Sequence, residues 1–123
     1  MLAYATLGTN DLPRASAFYD ELLAIIGARR FMEEETFIAW GNSETGAGLG
    51  ITRPFDGKAA SVGNGVMIAL EARSREQVDA LHAKALELGG TDEGAPGPRM
   101  DWFYAAYFRD LDGNKLNVCF ISR

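Results

Sequence analysis

The sequence contains a single cysteine, Cys119, and a single histidine, His82, among its 123 residues. One cysteine cannot form a disulfide within the chain, which is typical of proteins that work in a reducing cytoplasm. One histidine is too few for the usual histidine-rich metal sites, and it leaves little scope for Ser–His or Cys–His catalysis. These scarcities exclude a scaffold held by internal disulfides and argue against histidine-based metal sites and against Ser–His or Cys–His catalysis.

Basic charge and long apolar runs are also scarce. The chain has 12 lysine and arginine residues against 17 aspartate and glutamate residues, so its formal net charge is −5. An acidic chain without a basic stripe is a poor candidate for binding nucleic acid or an anionic membrane. No apolar run approaches the ~20 residues that cross a bilayer, and the N-terminus lacks the pattern of a signal peptide. We therefore expect a cytoplasmic protein without nucleic-acid or membrane partners.

The sequence does contain a weak internal repeat. When the second half is laid over the first, Tyr4–Leu7 aligns with Met67–Leu70, and Thr36–Trp40 aligns with Phe103–Tyr107. Identity between the halves is low, but the order of apolar, capping and turn segments is the same in both. The repeat therefore predicts two copies of one structural unit.

Each unit is predicted to consist of one strand, one helix and three further strands. Asp11 is the expected cap of the first helix, which ends at Gly27, and the capping box Ser74–Gln77 begins the second, which ends at Gly89. The segment Gly94–Pro98 is predicted to be a loop because it is rich in glycine and proline. Seven of the eight expected strands can be given ranges, and the one left without a range belongs to the second unit. The seven are Leu2–Gly8, Arg29–Glu34, Thr36–Asn42, Ala47–Arg53, Val66–Glu71, Trp102–Arg109 and Lys115–Ile121.

Neither half is large enough to bury its own sheet, so both should pack into a single domain. We expect a first module over residues 1–53, a linker over 54–63 and a second module over 64–123. The predicted fold class is α+β, with two βαβββ modules pairing into curved mixed sheets around a shared cavity. The helices would cover the outer faces, and alternation along the last strand would turn Asn117 and its neighbour Lys115 toward the cavity.

Four segments of the chain resemble the vicinal oxygen chelate superfamily, which includes glyoxalase I, bleomycin-resistance proteins and extradiol dioxygenases. The last segment is close to the family's FxDPDGNxxE ending, with Leu111 where proline is usual. The resemblance covers the whole chain and implies the glyoxalase/bleomycin-resistance fold. The segments are Leu7–Leu12, Ala17–Tyr19, Ile68–Leu70 and Tyr107–Leu116.

The resemblance also implies where a metal ion would be held. Metalloenzymes of the family use His or Gln, Glu, His and Glu from the first and last strands of the two modules. Those positions fall on Tyr4, Gly50, Met67 and Asn117. None of these residues is an ordinary ligand for a catalytic divalent cation. His82 is predicted to lie on the second helix, opposite the cavity, so no metal site and no cofactor are expected.

Six residues are predicted to bind a small molecule in the cavity. Tyr4 and Asn117 would supply polar contacts, and Met67 would supply an adaptable apolar wall. The aromatic residues could stack on a planar ligand, although packing in the core is the alternative for most of them. Trp40 and Tyr107 coincide in the repeat, so the same role is expected of both. The six are Tyr4, Trp40, Met67, Trp102, Tyr107 and Asn117.

Other polar residues allow two interpretations. Arg53 and Arg99 could clamp a carboxylate or phosphate, or could be solvated surface arginines. The run Asp110–Asn114 predicts a hairpin turn rather than a calcium loop. Cys119 is predicted to be structural. The net charge of −5 is compatible with a cationic ligand.

Three functions fit these observations. The first is metal-free binding of a small organic molecule in an aromatic and apolar cavity, with sequestration as in resistance proteins. Family members of that kind usually dimerise, so a homodimer is expected. The second is an enzyme similar to the glyoxalase-type lyases and isomerases or to the dioxygenases, which the replaced metal ligands disfavour. The third is an accessory or regulatory domain.

Overall fold

The computed structural model describes all 123 residues and contains two helices and eight strands. The elements are β1 (Tyr4–Gly8), α1 (Leu12–Ala24), β2 (Arg29–Glu33), β3 (Phe37–Gly41), β4 (Gly48–Thr52), β5 (Ile68–Glu71), α2 (Arg75–Glu87), β6 (Thr91–Met100), β7 (Phe103–Arg109) and β8 (Lys115–Ile121). Each half therefore has the order βαβββ, and the predicted α+β class with two modules is confirmed. Neither helix is long and apolar enough to span a bilayer.

The two sheets have the same topology. Their strand orders are β1-β4-β3-β2 and β5-β8-β7-β6, with a parallel pair at one edge and antiparallel pairs elsewhere. Leu7 lies opposite Ile51 in the first sheet, as Leu70 lies opposite Val118 in the second. The alignment of the two halves therefore identifies equivalent ladder positions in these strands.

The repeat alignment is wrong by one residue in the pair β3 and β7. Trp40 and Phe108 hold the same ladder position beside β4 and β8, so Phe108 is the true counterpart of Trp40. The counterpart of Tyr107 is Ala39. Successive side chains in a strand point to opposite faces, so an error of one residue reverses the predicted face. Trp40 and Tyr107 are therefore not equivalent, and the reason for expecting one role of both is removed.

Both helices begin at the predicted caps. The Asp11 carboxylate accepts a hydrogen bond from a backbone N–H of the first turn of α1, and the chain leaves the helix at Gly27, where φ is +75°. The Ser74 Oγ atom accepts from the Gln77 backbone N–H at 3.1 Å, and the Gln77 Oε1 atom accepts from the Arg73 N–H at 2.8 Å. The capping box is therefore confirmed, with its return bond one residue before Ser74.

The segment predicted as a loop, Gly94–Pro98, is part of strand β6. It pairs with β7 through a ladder that shifts register at three places. Because β6 lies at the sheet edge, a proline there need not interrupt a hydrogen-bonded ladder on both sides. The composition of the segment thus reflects an irregular edge strand, and the loop prediction is wrong.

One apolar core joins the two modules. Each helix packs on one face of its own sheet, α1 and α2 contact each other, and 21 buried residues from both modules form a single cluster. Leu22 of α1 and Leu81 of α2 are fully buried in it. Burial of these apolar side chains supplies most of the free energy that holds the modules together.

Buried hydrogen bonds also join the modules. The Tyr19 hydroxyl donates to the Asp110 Oδ2 atom at 2.6 Å, and the Asn114 Nδ2 atom donates to the Gly8 carbonyl oxygen at 2.9 Å. Burial and the adjacent Asp110 carboxylate raise the pKa of Tyr19 well above its ordinary value, so the hydroxyl keeps its proton. We call Tyr19, Asp110, Asn114 and Gly8 the inter-module latch.

Candidate functional site

The side of each sheet that no helix covers is called its open face. Strand alternation places alternate residues on this face, and the helix-facing residues between them belong to the core cluster. The open face of the first sheet carries Tyr4, Thr6, Phe37, Ala39 and Gly50, and that of the second carries Ala69, Ala105, Tyr107, Lys115, Asn117 and Cys119.

The open face of the first sheet is aromatic. Tyr4 is 58% exposed, and its ring meets the ring of Phe37 edge-on, with 6.2 Å between centroids. The Phe37 ring lies over Gly50, where any side chain would collide with it. Phe31 covers Gly48 in the same way and is 60% exposed. Glycine on the strand thus makes room for rings from neighbouring strands.

The open face of the second sheet combines an aromatic ring with two cations. The Arg99 guanidinium carbon lies 5.4 Å from the centroid of the Tyr107 ring, and the Lys115 Nζ atom lies 5.6 Å from it. Arg99 comes from β6 and Lys115 from β8, the two strands that flank β7. The three side chains form one group, which we call the cation–tyrosine cluster.

Asn117 and Met67 lie beside this cluster. Asn117 is directly opposite Tyr107 in the ladder and is 1% exposed. Its Nδ2 atom donates to the Ala106 carbonyl oxygen at 3.1 Å, so the amide is oriented by the sheet. Met67 immediately precedes β5 and is 41% exposed. The structure therefore brings three of the six predicted residues, Met67, Tyr107 and Asn117, to one face.

Two predicted residues do not reach the open faces. Trp40 points to the helix side, is 1% exposed, and donates from Nε1 to the Asp20 Oδ1 atom at 2.9 Å. Trp102 lies in the turn between β6 and β7, about half exposed and tilted against Phe103. Trp40 therefore packs on the helix side of its sheet, where it also lines the cleft between the modules described below. Tyr4 is on an open face, but on the other sheet.

A separate cleft of about 780 Å³ lies between the two modules. Its walls include apolar side chains from both units, among them Leu49, Leu70 and Phe120. The Arg123 guanidinium, which also lines it, pairs with the Glu71 carboxylate at 3.2 Å. This is the cavity that both modules line within one chain.

Neither Cys119 nor His82 has the surroundings of a catalytic group. Burial, and then the nearby Glu71 carboxylate, raise the pKa of the Cys119 thiol, which disfavours the nucleophilic thiolate. His82 is buried on α2, and its Nε2 atom lies 3.0 Å from the Asp92 Oδ1 atom. The Gly94 N–H, and then His82, hold the pKa of Asp92 below its ordinary value. His82 thus joins α2 to β6.

Sequence reasoning missed two features of this region. The sequence predicts only a turn at Asp110, yet its buried carboxylate belongs to the latch between modules. Lys115 was placed toward the cavity without a role, although it completes the cation–tyrosine cluster. The run Asp110–Asn114 carries no signal for this role, because aspartate and asparagine are ordinary turn residues. No local signal marks the position of Lys115 beside the ring.

The side chains at the family's metal-ligand positions do not fit a divalent cation. Gly50 has no side chain and is covered by Phe37, and Asn117 offers only a neutral amide oxygen in place of a carboxylate. Tyr4 and Met67 offer a phenol and a thioether, which are poor ligands for such ions. No group of three or more His, Cys, Asp or Glu side chains is placed to hold a metal.

Two βαβββ modules with these sheet orders define the vicinal oxygen chelate fold. Residues 1–118 match the family model described as Glyoxalase/Bleomycin resistance protein/Dioxygenase superfamily. The chain belongs to this superfamily, and the resemblance drawn from its sequence is confirmed. No curated protein matches the chain significantly.

Solved structures agree with the family assignment. A glyoxalase/bleomycin resistance protein from Albidiferax ferrireducens is 37% identical, with 98% of each chain covered and a TM-score of 0.89. A family enzyme from Burkholderia phytofirmans is 18% identical over 97% of each chain, with a TM-score of 0.73. A lactoylglutathione lyase from Agrobacterium tumefaciens is 18% identical over 98% of this chain and 92% of its own, with a TM-score of 0.69. At such identity the last two show the shared fold only.

Proposed function

We propose that this protein binds a small organic molecule on its open faces without a metal ion, and acts in the cytoplasm by sequestration, as resistance proteins do. One observation carries the proposal. The four positions where the family holds its metal carry Tyr4, Gly50, Met67 and Asn117, and all four lie on or beside faces lined by aromatic side chains. A surface with rings, a thioether and a few oriented polar groups is suited to an organic ligand.

The proposed site needs a second copy of the chain to enclose it. Tyr4, Phe31 and Met67 are large apolar side chains exposed on or beside the open faces. Exposed apolar patches of this kind commonly mark interaction surfaces. In a two-fold dimer, the first-sheet face of one copy would cover the second-sheet face of its partner, and symmetry would create the same site twice. This would place Tyr4 near the cation–tyrosine cluster of the other copy.

Metal analysis together with ligand screening tests the proposal. Untagged protein is analysed for metal as isolated, and again after incubation with Ni, Zn, Mn and Fe(II) followed by desalting. A library of small aromatic and aliphatic compounds is then screened by thermal shift. We expect less than about 0.1 metal ion per chain and stabilisation by at least one compound, since a ligand that binds only the folded state raises its stability. Stoichiometric metal, retained after desalting, would contradict the proposal.

Two variants test whether a compound found by the screen binds on the open faces. Tyr4→Phe and Met67→Ala change exposed side chains, so we expect weaker binding with an unchanged melting temperature. Leu86→Ala, at an exposed position of α2, is the matched control and should bind normally. If all three variants bind as the wild type does, the ligand lies elsewhere, with the 780 Å³ inter-module cleft as the next place to examine.

The screen, followed by a turnover assay of each stabilising compound, also separates the two other functions. A compound that is converted rather than only bound would favour the lyase or isomerase. A complete absence of stabilising compounds would favour an accessory domain. Either result would replace sequestration as the proposed function.

A further inference from the structure

Two cations on the open face of the second sheet lie outside every ion pair of the structure. The structure contains six ion pairs, and neither Arg99 nor Lys115 takes part in any of them. Their neighbour Arg109, by contrast, pairs with the Glu93 carboxylate at 2.8 Å. Arg109, and more weakly Lys115, lower the pKa of Glu93, so three cations share this one carboxylate on a chain whose net charge is −5. Positive charge is concentrated where the proposed ligand would bind.

Hydrogen bonds hold the Arg99 side chain in place. Its Nη1 atom donates to the Gly97 carbonyl oxygen and its Nη2 atom to the Ala95 carbonyl oxygen, both at 2.9 Å. Carbonyl oxygens orient a guanidinium without neutralising it, so the charge and the other N–H groups stay available. A side chain held in this way loses less conformational entropy when a ligand binds.

Two glycines on β6 make room for this arrangement. A Cβ atom at Gly94 would lie 3.0 Å from the Tyr107 ring and 3.4 Å from the Arg99 Nη2 atom. A Cβ atom at Gly97 would lie 3.3 Å from the Arg99 Nη1 atom. The glycines let the edge strand and the Arg99 side chain approach the ring closely. The composition that suggested a loop therefore serves the cation–tyrosine cluster.

The geometry points to a ligand with an oxyanion, a carboxylate or phosphoryl group, bound between Arg99 and Lys115 beside Tyr107. The inference rests on the proposed function and names the chemical class of its ligand. Guanidinium and ammonium donors form strong charge-assisted bonds to such oxygens. The aromatic face of the first sheet then suits the apolar part of the ligand. The local cations outweigh the overall negative charge, so a cationic ligand is disfavoured at this site.

Four small probes of similar size test the charge preference on the full chain. Phenyl phosphate and benzoate carry an oxyanion, p-cresol is neutral, and benzylamine is cationic. Binding is measured by ligand-observed NMR titration at low and at high salt concentration. We expect phenyl phosphate and benzoate to bind more tightly than p-cresol and benzylamine, and their affinity to fall at the higher salt concentration.

Single substitutions then assign the anion to these residues. Lys115→Met and Arg99→Gln keep most of the length of the side chain while removing its charge, and each should weaken phenyl phosphate binding about tenfold. Lys58→Met, which removes an exposed cation in the linker, should have no effect. The melting temperature of each variant reports whether it is folded.

The outcomes separate this inference from the proposed function. If p-cresol or benzylamine binds as tightly as phenyl phosphate, the oxyanion inference is wrong, while binding of a small organic molecule stands. If the two oxyanions bind but Lys115→Met and Arg99→Gln leave their affinity unchanged, the anion lies elsewhere and the assignment is also wrong. If no probe binds and the library screen is also empty, the proposed function fails together with the inference.

Discussion

A carboxylate buried between two modules is stable only if both of its oxygens find donors. The Asp110 Oδ2 atom accepts from the Tyr19 hydroxyl at 2.6 Å and from the Asn114 Nδ2 atom at 3.0 Å. Its Oδ1 atom accepts from the Asp112 and Asn114 backbone N–H groups at 2.9 Å. Four donors offset the cost of removing the charge from water. One side chain thereby shapes the β7–β8 turn and attaches it to α1.

Removing one of these donors should be costly. We expect Tyr19→Phe to lower the free energy of unfolding by about 1–3 kcal/mol, because a buried charged acceptor loses a partner. Tyr104→Phe is the matched control, since the Tyr104 hydroxyl donates to Asp79 at 2.7 Å but in an exposed position. The control should lose no more than about 0.5 kcal/mol. Urea unfolding measures both, and equal losses would show that burial of the latch does not matter.

The Asp20 carboxylate leads to a prediction about pH. Two hydrogen bonds from Arg30, and one from Trp40, lower the pKa of Asp20 despite partial burial. A lowered pKa in the folded state contributes stability above the unfolded value, about 3.9 for an aspartate. That contribution disappears as the pH falls through the folded-state pKa. Asp20→Asn should therefore be less stable than the wild type at pH 7, by about 1 kcal/mol or less.

Urea unfolding of Asp20→Asn at several pH values between 7 and 3 is the measurement. The difference from the wild type should shrink below pH 4, where Asp20 of the unfolded wild-type chain takes up a proton before Asp20 of the folded chain does. Asp101→Asn, at an exposed position outside any ion pair, should match the wild type throughout. A difference that stays constant down to pH 3 would mean that loss of the carboxylate charge is not the cause.

At the scale of the element, the end of α2 depends on close approach of the backbone. A Cβ atom at Gly90 would lie 2.7 Å from the Arg109 carbonyl oxygen and 2.8 Å from that of Ala85. Backbone atoms cannot move away as a flexible side chain can, so Gly90→Ala should cost about 1–3 kcal/mol. Gly46→Ala is the control, because its Cβ atom would make an ordinary contact of 3.4 Å with Ser43. Thermal or urea unfolding compares them, and equal stability would refute the steric account.

The start of α2 carries a second prediction at this scale. Ser74→Ala removes the side-chain acceptor of the cap and should cost about 1 kcal/mol. Gln77→Glu keeps the acceptor for the Arg73 N–H but loses the donor that binds the Ile25 carbonyl oxygen at 3.2 Å at the end of α1. Gln77→Glu should therefore also be destabilised, by about 1 kcal/mol.

Chemical denaturation of the two variants, compared with Ser61→Ala in the linker, is the check. If Gln77→Glu is as stable as the wild type while Ser74→Ala is not, Gln77 serves only its own cap. A loss of stability in both variants would mean that Gln77 also connects α2 to the end of α1.

Elements with a strong local signal were predictable, and one without it was not. The two helices follow from a cap, an apolar period and a terminal glycine, all of which lie within one stretch of chain. Strand β6 has no apolar alternation, and its glycines and prolines are compatible with a loop. It is a strand because β7 supplies hydrogen-bond partners along its edge, which is a property of the sheet and not of the segment.

At the scale of the whole molecule, the two open faces lead to a prediction about assembly. We expect the wild type to form a dimer in sedimentation equilibrium. The fraction of chains in the dimer should rise with protein concentration. Tyr4→Glu and Met67→Glu each place a charge on the proposed interface. Because the dimer would bury that charge without a partner, the Kd for dimer dissociation should rise about tenfold or more. Leu86→Glu on α2 should leave the dimer intact. A wild type that stays monomeric at all concentrations would contradict the proposed enclosure of the site.

Apart from strand β6, the order of elements, the helix caps and the faces of the strands whose register follows the repeat could be predicted from the sequence alone. Tyr4 and Asn117 are predicted to share one cavity; apolar alternation does put each on a face that no helix covers, but the two faces belong to different sheets. The tertiary structure decided the rest. Trp40 faces the core because of a one-residue difference in register, and Arg99 meets Lys115 only because β6 and β8 flank β7. Pairing between distant segments depends on the free energy of the whole fold, which no local pattern records.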